Sequence, residues 1–456
     1  MSRRAVQVLV LVAWVMGGVL SLPAFAQPET GQMSLPQVRV LALQAAQAQD
    51  WATADALSSA LLRDNPDDAD ALLVRALVAR AAGDLDASAA AGRRSYELST
   101  NPALKFEAAI LVADVLNRQE KYTRSQIWLR RADQTAVRPE QKQLAANAYR
   151  SVSARNPLAV QLRFGARPTN NANNGAETTI IEIGGLPFVL DPSGQQLGGF
   201  EVSGGLSFSY RLDQGQRHRR DLVGELSARK IWLDSEAATL APGVRSSDFD
   251  YAAAIVGVRE RRLIWDDLGP TDITGLFGQS WYGGDALARW GELRLGQSVR
   301  RNDTSAFNFG TVLRSEKRLD DDINSSHALS LSAGYAGRLE NGGFSVSATF
   351  KNVWSDSGTV DLFSTTLSAR RAFDTIGSVR PTLHGSVEQR IYHKFATAPG
   401  GREDVSASIG LDVTWPGISY YGFSPQLELR ARRTFSNVDI YDRNEYSAGL
   451  TAVSRF

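Results

Sequence analysis

Apolar and polar residues alternate with a period of two through the long C-terminal part of this chain. In the closing segment, Tyr446, Leu450 and Phe456 fall on one face, and Glu445 and Thr451 fall on the other. Successive side chains of a strand point to opposite faces, so one face is apolar and the other is polar. Repeated over roughly 300 residues, this pattern is typical of an outer-membrane β-barrel, which has lipid outside and water inside.

The N-terminus predicts export through the inner membrane. Arg3 and Arg4 form a basic segment, 8–20 is apolar, and Ala24 and Ala26 frame a small-residue cleavage site. Residues 1–26 are therefore predicted to be a signal peptide. A transmembrane anchor is the alternative, but the apolar run is short and ends at the cleavage site.

Composition excludes several classes of protein. The chain has no cysteine, which excludes a lipid-anchored N-terminus, disulfides, thiolate metal sites and cysteine nucleophiles. Its formal net charge is +1 and it has no long basic tract, so no nucleic-acid partner is expected. After the signal peptide, no apolar run approaches the roughly 18 residues of a spanning helix, so strands must make any membrane crossing.

Residues 27–156 are predicted to form a periplasmic helical domain that resembles tetratricopeptide repeats. This segment is rich in Ala, Leu and Arg, and its repeat anchors Trp51, Leu85 and Tyr122 are spaced by 34 and 37 residues. That spacing is close to the 34-residue tetratricopeptide unit, and a proline follows each second helix. A helical bundle without true repeats is the alternative. The predicted core anchors are Trp51, Leu77, Leu85, Leu116 and Tyr122.

Stacked helix pairs present a concave surface that commonly binds a peptide or protein. Exposed arginines of the helical domain are the candidates for contact with a client protein. They are Arg75, Arg80, Arg118, Arg130 and Arg131. Solvated surface charge is the alternative explanation for these residues.

Residues 157–456 are predicted to form a barrel of fourteen antiparallel strands, an even number that returns both chain ends to the periplasm. Short connections such as 339–342 fall on the inner side, and longer ones such as 167–199 fall outside. The segment 272–299 has the weakest strand pattern. The predicted strands are 159–166, 200–212, 221–233, 248–260, 272–282, 288–299, 306–317, 326–338, 343–353, 360–372, 379–392, 404–414, 423–433 and 445–456.

The alternation also predicts which residues face the lumen and which meet the lipid. Tyr446, Leu450 and Phe456 of the closing strand are predicted to face lipid. The basic residues expected in the lumen are Arg211, Arg229, Arg294, Arg370, Arg380, Arg390, Arg430 and Arg432, interspersed with Glu225, Glu388 and Glu428. Such mixed charge suits a peptide or a mildly anionic solute. An interfacial girdle is expected from Trp232, Trp265, Trp281, Trp290, Trp354, Trp415, Tyr420 and Tyr421.

No catalytic constellation or cofactor site emerges from the sequence, so the protein is not expected to be an enzyme. The four histidines lack metal-ligand spacing. His384 beside Ser386 is the sole candidate for a barrel hydrolase, although both occupy lumen positions where polar residues are expected anyway. The run 320–322 of three aspartates could bind a divalent cation, but a solvated charged loop is the favoured explanation.

The chain resembles the surface lipoprotein assembly modifier family. The resemblance is carried by 170–175, by 183–188, by Gly198 to Phe200 before a strand, and by 436–444 with the terminal Phe456. It implies an outer-membrane translocon that helps move lipoproteins or related secreted proteins to the cell surface. The implied partners are a client lipoprotein, outer-membrane lipid and the barrel assembly machinery. A polysaccharide-export porin or a diffusion porin with a periplasmic scaffold is the alternative.

Overall fold

The computed structural model describes residues 33–183, 186–266, 268–396, 398 and 400–454. The predicted signal peptide 1–26 and Phe456 lie outside the described residues. Within them, a helical module is followed directly by a closed β-barrel, with the last helix ending at Arg155 and the first strand beginning at Leu158. The predicted fold class of the two parts is confirmed.

The helical module is built from antiparallel helices joined by short turns. In order, they are α1 (Leu35–Gln47), α2 (Trp51–Asp64), α3 (Ala69–Ala81), α4 (Leu85–Leu98), α5 (Pro102–Arg118), α6 (Tyr122–Thr135) and α7 (Pro139–Arg155). Side-chain caps set several of the starts: the carboxylates of Asp50 and Asp84 accept the backbone amides of Thr53 and Ala87. Such caps satisfy amides that the first helical turn leaves without a partner.

The first three helix pairs share one turn geometry. Gln49, Gly83 and Glu120 occupy equivalent turn positions and all have positive φ, at 60°, 84° and 58°. In two of the pairs, a serine also closes the contact between the helices: Ser88 Oγ donates to Ala76 O and Ser125 Oγ donates to Ala113 O, both at 2.7 Å. The structure therefore repeats along the chain, while the tetratricopeptide assignment itself stays a prediction.

The predicted core anchors contact the apolar core of the module. Leu116 is fully buried with Trp128 in the cluster between α5, α6 and α7, and Tyr122 packs against it. Leu85 packs against the neighbouring cluster between α3, α4 and α5. Trp51 packs against a third cluster, which lies between α1, α2 and α3. Leu77 contacts both this cluster and the one between α3, α4 and α5.

Fourteen strands close into a barrel in which each strand pairs with its neighbour along the chain, apart from an inserted hairpin, and the first pairs with the last. The hairpin is β2 (Ile180–Ile183) and β3 (Leu186–Val189). The barrel strands are β1 (Leu158–Thr169), β4 (Gly199–Gln214), β5 (His218–Leu233), β6 (Tyr251–Arg262), β7 (Thr271–Tyr282), β8 (Asp285–Asn302), β9 (Ser305–Arg318), β10 (Ser326–Leu339), β11 (Gly342–Ser355), β12 (Leu362–Phe373), β13 (Arg380–Tyr392), β14 (Arg402–Thr414), β15 (Phe423–Ser436) and β16 (Arg443–Ser454).

The barrel departs from the sequence predictions in detail. The connection 167–199 contains the β2–β3 hairpin, which sequence alternation did not reveal because each strand has only four residues. The weak segment 272–299 does form two strands, joined at Gly283 and Gly284 with φ of 60° and 97°. The assignment of Trp290 to the aromatic girdle is wrong. Trp290 points inward and is 6% exposed, with the guanidinium of Arg314 4.4 Å from its ring centre.

The helical module contacts the end of the barrel at which β1 begins, here termed the module end. Arg211 of β4 donates to the carbonyls of Ala154 and Asn156 at 3.1 and 3.3 Å. The amide of Tyr421, in the turn between β14 and β15, donates to Gln134 Oε1 at 3.2 Å. Both ends of the helical α6–α7 pair are thereby tied to the barrel rim.

Candidate functional site

The outer surface of the barrel is apolar. Tyr446 and Leu450 of the closing strand are 61% and 60% exposed, as the predicted lipid-facing position requires. Large apolar side chains are likewise exposed on the other barrel strands, for example Phe164, Leu226, Phe277, Leu331, Leu367 and Ile409. A closed sheet pairs its backbone groups internally and can therefore meet hydrocarbon. The barrel has the architecture of an outer-membrane protein.

The inner wall carries most of the charged side chains of the barrel strands, because alternation turns them away from the apolar surface. On the β13–β15 side, arginines are paired with carboxylates. Arg430 lies 2.7 Å from Asp412, and Arg390 lies 2.6 Å from Glu388. Arg432 also reaches Glu388, at 3.5 Å. These pairs largely cancel each other's charge on this part of the wall.

The opposite side of the inner wall, between β5 and β9, shows the same pairing. Asp221 is almost fully buried between Arg219 and Arg259, at 2.8 and 3.0 Å. Glu292 accepts from Arg314 at 3.2 Å. Arg294 shares Glu292, yet 54% of its side chain remains exposed although it points inward. The lumen therefore contains space for solvent beside this wall.

The strands β10, β11 and β12 form a third part of the inner wall that differs from both. Their sequences contain no aspartate or glutamate. Their inward positions hold small hydroxyl residues such as Ser332, Ser347 and Thr366, together with Lys351 and Arg370. Short side chains leave room in the lumen. The absence of carboxylates from these strands leaves Lys351, Arg370 and, near the module end of β10, Arg338 without a local partner.

Several cations at inward-facing strand positions have no carboxylate partner within 4.0 Å among the described residues. Arg211, Arg300, Arg338 and Arg380 lie near the module end of their strands, and Arg443 lies at the start of β16. The remaining four lie further inside their strands: Arg163, Arg229, Lys351 and Arg370. Arg229 lies 5.9 Å from the ring of Tyr251, and its Nε is buried without a hydrogen-bond acceptor. The other three side chains are exposed to the lumen. Arg211, Arg229, Arg370 and Arg380 were predicted from the sequence to face the lumen. Arg163 and Lys351 were not, although the same alternation could have found them.

One buried ionic cluster lies at the end of the barrel away from the module, here termed the loop end. Arg402 bonds Asp404 from Nε at 2.9 Å, and both side chains are buried. The guanidinium also lies 4.3 Å from the ring centre of Tyr392 and 3.1 Å from that of Tyr441. Because Tyr441 belongs to the connection between β15 and β16, this cluster ties together two of the long loops.

The predicted client-facing arginines occupy different environments. Arg80 and Arg118 share Asp114, at 3.3 and 3.1 Å, whereas Arg75 is exposed and paired with Asp55. Two others pack on aromatic rings. Arg131 lies 4.4 Å from the ring centre of Trp128, and Arg130 lies 5.6 Å from that of Phe423 in the barrel. Their role in client binding stays a prediction.

The candidate catalytic and metal-binding residues have partners within the fold. Ser386 Oγ is 2.8 Å from Ser408 Oγ, and His384 Nδ1 is 3.9 Å from Asp412 Oδ2. A hydrogen bond from Arg318 lowers the pKa of the Asp320 carboxyl to about 2. In the described part of the chain, no group of three or more histidine or acidic residues could hold a metal ion. None of the helices described combines the length and apolarity of a membrane-crossing helix.

Comparison with known proteins gives no family. No family model matches the chain, and no curated protein matches it. Similar solved structures include Acinetobacter baumannii OccAB4, at 8% identity and a TM-score of 0.32 over 65% of this chain and 97% of that one. Pseudomonas aeruginosa OprD is 11% identical, with a TM-score of 0.33 over 65% and 94%. A bacterial polysaccharide outer membrane secretin is 8% identical, with a TM-score of 0.32 over 65% and 98%. At these TM-scores the likeness carries no functional argument.

Proposed function

We propose that the protein is an outer-membrane transport protein whose barrel provides a water-filled route for polar solutes. The observation that carries this proposal is the polar, partly solvent-exposed inner wall within an apolar closed barrel, with Arg294 as the clearest example. Polar wall residues replace the solute's contacts with water, while the closed sheet separates the route from lipid.

The test is conductance through planar lipid bilayers. Purified full-length protein should produce discrete, ohmic current steps, and the same protein unfolded by heat should produce none. Folding before the measurement is checked by the electrophoretic shift that folded barrels show on heating. A correctly folded barrel that gives no current steps would contradict a permanently open route.

A second function, protein translocation, is favoured by the attachment of the helical module to the barrel rim through Arg211 and Gln134. Attachment keeps any client that the module binds near the barrel mouth, which raises its local concentration. In this proposal the predicted signal peptide delivers the chain to the periplasm, the barrel assembly machinery inserts it, and the module remains periplasmic. The client is a lipoprotein or a related secreted protein.

Surface display distinguishes the two functions. Cells that carry a candidate surface lipoprotein are compared with and without residues 35–150 of the transport protein. Loss of display with unchanged levels of heat-shifted barrel supports translocation. Unchanged display, together with solute uptake that depends on the barrel, supports the diffusion pore alone.

A further inference from the structure

We propose that the pore is selective for anions, and that Arg163, Lys351 and Arg370 set this selectivity. The inference rests on the proposed function as a transport pore and names the class of solute that it prefers. These three residues differ from the paired lumen cations in lacking a carboxylate partner among the residues described and in being exposed to the lumen. They also lie further from the strand ends than Arg300, Arg338 and Arg380, which are likewise exposed and without an ion pair.

Paired and unpaired cations present different local charges to a passing ion. An arginine paired with a carboxylate at 2.7 Å, such as Arg430 with Asp412, presents little net field to a passing ion. An unpaired cation in a solvent-filled lumen acts over about one Debye length, roughly 8 Å at physiological ionic strength. The unpaired residues should therefore dominate the potential along the route, even though paired arginines are more numerous.

Two of the unpaired cations lie on the wall that has the fewest acidic neighbours. Lys351 and Arg370 stand on the β10–β12 wall, where three consecutive strands contain no acidic residue. Their inward neighbours on these strands are Ser347, Thr349 and Ser368, whose short side chains leave space in front of the wall. Hydroxyl groups can also donate hydrogen bonds to an anion. Free volume and uncompensated positive charge thus coincide on one side of the lumen.

An unpaired carboxylate also lies on the inner wall. Glu225 of β5 also points inward and is exposed, with no ion pair to described residues. It lies on the strand that carries Arg229, so it reduces the positive field on that side. The β10–β12 wall has no such counterpart, and the anion preference should therefore depend most on Lys351 and Arg370.

The test is the zero-current potential of the full-length protein in planar bilayers under a potassium chloride gradient. The wild type should favour chloride over potassium. Replacing Arg370 or Lys351 with Gln should each lower the permeability ratio about twofold, since a unit charge roughly 10 Å away in water changes a Boltzmann factor by about this amount. Combining R163Q, K351Q and R370Q should lower the ratio further than any single substitution, leaving the contribution of unpaired cations near the module end such as Arg338. The substitution R370K should retain it.

The matched control is Arg371→Gln. Arg371 is the next residue on β12 and faces outward, where its guanidinium lies 4.9 Å from the ring centre of Phe373. This variant changes the net charge of the chain equally but should leave the permeability ratio unaltered. Equal effects of R370Q and R371Q, or a conducting wild type without anion preference, would overturn the inference alone. Absence of any conductance from folded protein would reject the proposed pore as well.

Discussion

The helical module and the barrel bury opposite faces of their elements. In the module, large apolar side chains such as Leu116 and Phe106 are enclosed between helices, and polar residues remain outside. In the barrel, residues such as Leu450 and Phe164 are exposed on the outer surface, while carboxylates such as Asp221 are buried on the inner wall. Both arrangements satisfy the backbone within the fold. The surrounding solvent differs: water for the module, and lipid around the barrel.

The exposure of an apolar side chain therefore has opposite meanings in the two regions. An exposed leucine in the module is an ordinary surface residue, whereas an exposed leucine on the barrel is in its preferred environment. The module buries the carboxylate of Asp68, which pairs with Arg39, whereas the inner wall of the barrel buries several carboxylates beside arginines, such as Asp221 and Asp404. The same substitution should therefore have different consequences on the two sides of Asn156.

The largest expected effect follows from separating the two regions. Residues 157–456 alone should fold in detergent as a barrel whose electrophoretic mobility shifts on heating, because its sheet closes on itself without the helices. The separated module should be soluble without detergent. A segment 157–456 that stays soluble without detergent would contradict the membrane assignment.

A cavity in the module should come next in magnitude. Leu116→Ala should reduce the stability of the module by about 2–5 kcal/mol, as for other fully buried leucines. Thermal loss of the helical circular dichroism signal measures this change. The control Ile127→Ala removes a side chain that is 50% exposed and should have a small effect. Neither variant should alter the heat shift of the barrel, and a change in that shift would show that the regions are energetically coupled.

A charge on the lipid face of the barrel should have a slightly smaller effect. Leu450→Arg should weaken membrane insertion by about 2–4 kcal/mol if it lies near the middle of the membrane, whereas Thr451→Arg, directed inward, should be much milder. The fraction of folded barrel after refolding into lipid vesicles measures both. Equal sensitivity at the two positions would mean that the register is shifted by one residue.

The sequence predicted most of the fold because both regions have strong periodicity. In segments such as 343–353, the alternation of apolar and polar residues determines which face of the strand meets lipid. The strand β11 forms there, at Gly342–Ser355. The inserted hairpin was not predicted, because four-residue strands such as Ile180–Ile183 are too short to show a pattern of alternation. Trp290 was misplaced because the predicted strand began at 288, which put Trp290 near a strand end. In the structure β8 begins at Asp285, and its alternation turns Trp290 inward against Arg314.

The candidate site was less accessible to sequence reasoning. Alternation indicated which arginines face the lumen, but it could not indicate which of them find carboxylates. Glu388 pairs with Arg390 on its own strand and also with Arg432 on another strand. Glu388 and Arg432 are 44 positions apart in the sequence. The functional difference between paired and unpaired cations therefore depends on tertiary geometry.

The smallest expected effect concerns the contact between the two regions. Arg130 of α6 lies 3.3 Å from Ser454 Oγ on β16 and 5.6 Å from the ring centre of Phe423 on β15. Arg130→Ala should loosen the module from the barrel at a cost of roughly 0.5–2 kcal/mol, because a cation–π contact and a hydrogen bond to the barrel are lost. The contacts of Arg130 with Tyr149 inside the module are lost as well. Limited proteolysis at the junction near Asn156 should become faster, with the barrel heat shift unchanged. Arg75→Ala is the matched control, since Arg75 is paired with Asp55 within the module. Equal cleavage rates in the two variants would show that Arg130 does not hold the regions together.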